Sequence, residues 1–173
     1  MQLRKIKFTL TALICFTSGL GASSLESDKN QDILYSSLGR STSRLEGDVR
    51  IITLEQDVKV TQGTMEIGGD SAVFESEAGS SAINRVTMNG APASYRQQLD
   101  ENGGFVEGES DSIYFYVDGE PIVELVGSAI LRSANDVLSC AAIKYYTDSR
   151  FTETTGPCEG ISGRATLTDS PSN

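Results

Sequence analysis

The stretch Gln56 to Asp70, QDVKVTQGTMEIGGD, constrains this chain more than any other part of it. Val58 and Val60 alternate with Asp57, Lys59 and Thr61. Gln62-Gly63-Thr64 then supplies turn chemistry, and Met65 and Ile67 resume the apolar stripe. Period-two alternation on both sides of a glycine-containing turn predicts a β-hairpin with an apolar inner face and polar edges. The pattern returns about seventy residues later. Ala129 to Tyr145 (AILRSANDVLSCAAIKY) keeps the register of Val58 to Phe74 (VKVTQGTMEIGGDSAVF), with Val60 over Leu131, Ile67 over Leu138 and Phe74 over Tyr145. One sheet motif used twice predicts a function built on a continuous β surface rather than on a single catalytic loop.

Period two begins at Leu45, and no helical pattern follows it. Leu45, Gly47, Val49 and Ile51 would share one face of a half-buried strand, and Arg44, Glu46, Asp48 and Arg50 the other. Further strands are expected over Arg85 to Met88, Ala93 to Gln97, Ser112 to Val117, Ile122 to Leu131 and Val137 to Thr147. Asn89-Gly90, Asn102-Gly103-Gly104, Asp118-Gly119-Glu120-Pro121 and Ser133-Ala134-Asn135-Asp136 punctuate them. Short strands at such spacing predict an all-β, antiparallel sandwich or roll.

The ends differ from this middle. Arg4, Lys5 and Lys7 precede an apolar run from Phe8 to Phe16 and then Ser18, Gly19, Gly21, Ala22 and Ser23, which is the order of a secretory signal peptide. The run is shorter than the roughly 20 residues a spanning helix needs. Cys15 lies inside it after Ile14, where a lipoprotein signal would need a small residue. The expected organisation is therefore a signal peptide over 1–22 and a flexible segment over 23–43, with a weak strand around Ile33 to Tyr35. A β domain follows over 44–150, and a polar tail over 151–173 is disordered unless a partner or a disulfide orders it.

Cleavage near Ala22 removes three basic residues, leaving 11 against 24 acidic ones, a net charge of −13. Nucleic-acid binding needs clustered Lys and Arg, and no such cluster exists. The chain has no histidine, which removes His-dependent triads and the commonest general base. No glycine-rich phosphate loop is present. No cofactor, metal or catalytic residue is assigned, and an enzyme is the least supported class. Glu107, Glu109 and Asp111, spaced by two, are the one candidate cation site. Strict alternation would carry their face into Ile113, Phe115 and Val117, a costly place for three charges. Either a bulge near Gly108 flips the phase or the carboxylates sit at an open end, and solvated acidic residues are the favoured reading.

The apolar stripes carry more. Val58, Val60, Ile67, Phe74, Tyr95, Ile113, Phe115, Leu125, Leu131, Ile143 and Tyr145 supply inward positions on nearly every strand. They form either a closed core or the lining of a groove. Ala72, Ala93, Gly127, Ala129 and Ala141 are small and would leave space between facing sheets, space that acyl chains could fill at roughly 0.8 kcal/mol per buried methylene. Cys140 and Cys158 are a candidate disulfide in an oxidising compartment. Two free thiols are the alternative, since sequence gives no Cα separation.

QDVKVTQGTMEI-GGD, NGAPASYRQ, VEGESDSIYFYV, VELVGSAILRS and AAIKYYT occur in that order over Leu45 to Thr147. In this the chain resembles the LptA/OstA-like family of periplasmic lipopolysaccharide-transport proteins. Gln56-Asp57 stands where the family usually has Gly-Asn, and Gly69-Asp70 where it has Ala-Asp. Gly90 and Pro92 match its turn and Tyr95 a usual aromatic. Gly127-Ser128-Ala129 matches a common Gly-Asn-Ala, and Phe115 falls where the family has an inward tyrosine. Cys140-Ala141 departs from a Gly-Asp or Ala-Asp pair, and the N-terminal strand is too degenerate to align. The resemblance implies a twisted antiparallel β-jellyroll, open at both ends, whose protomers join head to tail. It also implies lipopolysaccharide held by its acyl chains in a groove lined by the eleven residues named above. LptC at the inner membrane and LptD with LptE at the outer membrane are the implied partners, with this chain bridging between them in the periplasm. Two other readings compete: a membrane-anchored LptC-like relative that would retain Met1 to Ala22, and a structural exported β-protein that binds no lipid.

Overall fold

The computed structural model describes residues 28–99, 104–134 and 136–163, so the signal-peptide expectation over 1–22 lies outside the described residues. Nine strands follow one another: β1 (Leu34–Ser36), β2 (Ser41–Glu46), β3 (Val49–Gln62), β4 (Met65–Glu77), β5 (Arg85–Gln98), β6 (Phe105–Tyr116), β7 (Ile122–Ser133), β8 (Asp136–Tyr146) and β9 (Phe151–Ile161). They form a single antiparallel sheet in the order β1-β3-β4-β5-β6-β7-β8-β9, with β2 also on β3. β1 and β2 share one edge of β3: β2 covers Val49 to Leu54, and β1 covers Lys59 to Thr61. β9 ends the sheet on the other side. Among the described residues the sheet does not close and nothing pairs with its outer edges, and the fold class is the all-β, antiparallel architecture expected.

The β3–β4 hairpin forms as its alternation predicts, with Val60 opposite Ile67 and Gln62 opposite Met65. Gly63 takes the left-handed φ of 58° that the tight turn requires. The repeat is a structural one. Leu131 lies opposite Leu138 in the β7–β8 hairpin, as Val60 does opposite Ile67. The register breaks between Glu55 and Val58 in the first hairpin and between Val126 and Ala129 in the second. Each break contains two successive left-handed residues, Gln56 and Asp57 in one and Gly127 and Ser128 in the other.

Every strand pair from β3–β4 to β8–β9 carries such a register shift. The others lie at Gly68/Ser71, Asn89/Ala93, Glu109/Ser112 and Cys140/Ala142. A bulge bends its strand and raises the local twist. Six of them in line make a crease, and the sheet folds about it into two facing layers, each strand from β3 to β9 contributing one half to each layer and β1 and β2 lying in one layer each. Contacts between strands that are not neighbours follow: the rings of Tyr35 and Phe74 are 4.9 Å apart, and those of Tyr95 and Tyr145 are 6.4 Å apart.

Several sequence expectations are corrected. Leu45 to Ile51 is not one strand, because Gly47, with φ of 60°, turns the chain between β2 and β3. Arg85 to Met88 and Ala93 to Gln97 are halves of β5, and Asn89-Gly90 serves the crease rather than a hairpin turn. β6 begins at Phe105, before the expected Ser112. The segment 23–43 contributes β1 and the start of β2. The polar tail is ordered through Ile161 as β9, paired to β8 along its length. β9 has no buried face of its own, so the alternation that reveals other strands is missing from it.

Candidate functional site

Among the described residues, the apolar stripes of β3 to β8 meet in the space between the layers. All eleven residues expected to line it lie there, each between 0 and 7% exposed. Val58, Val60, Ile67, Tyr95 and Leu131 come from one layer, and Phe74, Ile113, Phe115, Leu125, Ile143 and Tyr145 from the other. Leu54, Met65, Met88, Val86, Val106 and Val123 join them in the same cluster. The intervening residues face water and pair with each other: Lys59 with Glu66 at 2.7 Å, Arg132 with Glu109 at 3.3 Å and the Tyr116 hydroxyl with Glu124 at 3.1 Å.

The small residues do something other than leave space. Ala72, Ala93, Gly127, Ala129 and Ala141 all lie at or beside the register shifts. Their size lets the backbone bend sharply at the crease. Between the layers the packing is tight: a Cβ on Gly108 would lie 2.9 Å from a Leu125 methyl carbon that reaches it from the opposite layer. An opening of about 260 Å³ lies at the β9 end and is bordered by Val106, Leu131, Leu138 and Tyr145 together with Leu99, Ser133, Asp136, Arg150 and Thr152.

Away from the crease the two margins of the folded sheet meet along a seam. There Asp28, only 4% exposed, accepts hydrogen bonds from the Thr64 backbone N–H (2.9 Å), the Thr64 hydroxyl (2.6 Å) and the Gln97 amide (3.1 Å). The Tyr95 hydroxyl donates to Gln97 Oε1 at 2.7 Å. Burial, then the nearby Tyr145 and Asp28, pushes the Tyr95 phenol well above its ordinary pKa. Burial also raises Tyr145, with Arg150 opposing it. Asp28 carried no signal in its polar stretch. Gln97 did, since it continues the inward phase of Ala93 and Tyr95.

The carboxylate triplet is drawn outward. The shift between Glu109 and Ser112 flips the phase, so Ser110 and Ile113 are both buried while Glu107 and Glu109 pair with Arg96 and Arg132. Among the described residues no group of His, Cys, Asp or Glu could hold a metal ion. Cys140 and Cys158 face each other across β8 and β9 and are joined by a disulfide, with Cα atoms 4.3 Å apart. The arrangement offers an apolar interior.

The family model described as "LptA/(LptD N-terminal domain) LPS transport protein" matches residues 41–151. The lipopolysaccharide export system proteins LptA of Escherichia coli K12 and of Shigella flexneri are each 26% identical over 148 residues, covering 84% of this chain and 77% of the relative. Among solved structures, LptH of Pseudomonas aeruginosa aligns with a TM-score of 0.61 and 22% identity over 85% of this chain and 92% of that one. It is described as the LptA-homologous periplasmic component of the lipopolysaccharide transport device.

Proposed function

Since the chain belongs to the LptA/LptD N-terminal-domain family of lipopolysaccharide transport proteins, a family of transport components and not of enzymes, we propose that it carries lipopolysaccharide across the periplasm with the acyl chains between its two layers. The observation that carries this reading is the uninterrupted apolar interior. It runs from β3 to β8 with all eleven candidate lining residues in it, in a sheet whose two ends are unpaired edges among the described residues.

The surface supports the same division of labour. A chain of net charge −13 after signal removal repels the phosphates of lipid A, so the affinity comes from acyl burial and not from a basic cradle. Binding then depends only weakly on salt. The open edges suit strand addition. Leu34, Leu38 and Leu45 are exposed at the β1–β2 end, and Val137, Phe151 and Ile161 at the β9 end. Head-to-tail self-association, LptC at the inner membrane and LptD with LptE at the outer membrane are the contacts proposed for these edges. The LptC-like alternative turns on whether Met1 to Ala22 stays in the mature protein.

The test is native mass spectrometry of the exported, purified chain after incubation with lipopolysaccharide. A one-to-one lipid complex that survives raised salt is expected. A chain that takes up no lipid at any concentration would be the structural β-protein instead.

A further inference from the structure

Apart from the opening at the β9 end, the interior is filled by its own side chains, so an acyl chain can lie along its length only when the two layers part. They are hinged at the crease, where each strand from β3 to β9 continues from one layer to the other. They can separate only at the seam. No β-ladder crosses the seam among the described residues. Polar contacts bridge it instead, beside the apolar Met65 and Phe115, around a void of about 10 Å³ lined by Gln62 and Thr147 among others, room for one water molecule at most.

The segment Asp28 to Gln31 lies across this line. On one margin Asp28 takes its three hydrogen bonds from Thr64 and Gln97, and the Gln62 amide donates to the Gln31 carbonyl at 3.1 Å. On the other margin, at the β8–β9 turn, Lys29 forms an ion pair with Asp148. Two residues further on, Arg150 donates to the Leu99 carbonyl and so ties the margins directly. A buried carboxylate is tolerated only while its hydrogen bonds are made, so the segment cannot leave the seam without breaking all three together.

We propose that Asp28 to Gln31 is a clasp and that lipid enters this protein sideways, through the seam, when the clasp releases. The proposal rests on the lipid-carrying reading above and adds the route of entry. Asp28 acts as a positioning residue. It touches no lipid and sets the rate at which the layers open, because opening must break its hydrogen bonds before any apolar surface is exposed.

The experiment follows uptake of fluorescently labelled lipopolysaccharide by the whole exported chain in a stopped-flow instrument. Asp28→Ala, and independently Lys29→Ala in case the first variant folds poorly, should load faster, roughly tenfold for the loss of a charged hydrogen bond. Lys29→Cys with Asp148→Cys joined by a short bismaleimide should load at least roughly tenfold more slowly than the same protein before joining. The native cysteines do not compete, being bonded to each other. Equal loading rates before and after joining would overturn side entry and show that lipid threads in from an end. Failure of the unmodified chain to load at all would instead overturn the lipid-carrying reading, and the clasp with it.

Discussion

Tyr95 on β5 and Tyr145 on β8 lie with their ring centroids 6.4 Å apart, although β6 and β7 separate their strands in the sheet. Only a sheet folded over on itself brings them together. The line of bulges provides the fold, and Leu125 lying over Gly108 from the other layer marks how close the layers come.

That spacing predicts two opposite failures at one place. Leu125→Ala leaves a cavity between the layers and should destabilise by about 2–5 kcal/mol. Gly108→Val forces the layers apart and should cost about 1–3 kcal/mol. Urea midpoints for both variants check the pair; a wild-type midpoint in either would mean the layers do not touch there.

Gln56 holds a left-handed φ of 67° at the crease, in a place where the related family usually has glycine. The left-handed region costs an L-residue about 1–2 kcal/mol. After the greater unfolded-state entropy of glycine is set against this, Gln56→Gly should stabilise by up to about 1 kcal/mol. Thermal unfolding of the single variant measures it, and a lowered midpoint would contradict the conformational account.

β9 is held by its ladder and by the Cys140–Cys158 disulfide, not by a buried face. Closing a loop of this size contributes about 3 kcal/mol. Cys140→Ser with Cys158→Ser should therefore raise amide exchange across Phe151–Ile161 while β3 to β7 stay protected. Uniform exchange changes across the sheet would show that the bond supports the core instead.

The buried Tyr95 phenol has its pKa raised well above the ordinary value, mainly by burial. The folded chain keeps a proton that the unfolded chain gives up above about pH 10, so stability is full below that pH and falls as the pH rises further. Tyr145 acts in the same direction. Tyr95→Phe should flatten the alkaline slope of stability, read as the urea midpoint at neutral pH and at two values above pH 10. An unchanged slope would reject Tyr95 as its source.

Much of this was legible in the sequence, for a physical reason. Residues with one face in the core alternate, so Val58, Val60, Ile113, Phe115, Ile143 and Tyr145 announce both strand and side. What was hidden lacked that signature. β9 reads TETTG because neither of its faces is buried. Asn89-Gly90-Ala91-Pro92 reads as a hairpin turn because a bulge uses the same residue chemistry. The crease is a property of six strand pairs in line, and no single strand records it. Asp28 was invisible because a buried carboxylate and a solvated one look alike until their partners are known.

The most direct test of the lipid-carrying interior is site-specific photo-crosslinking to lipopolysaccharide from Val60, Phe115 and Leu131, set against Lys59, Tyr116 and Arg132. The first three are buried between the layers, and the second three follow or precede them on the outer face. Adducts confined to the inner set are the predicted result. Equal labelling of both sets, or labelling of the outer set alone, would contradict an interior lipid path.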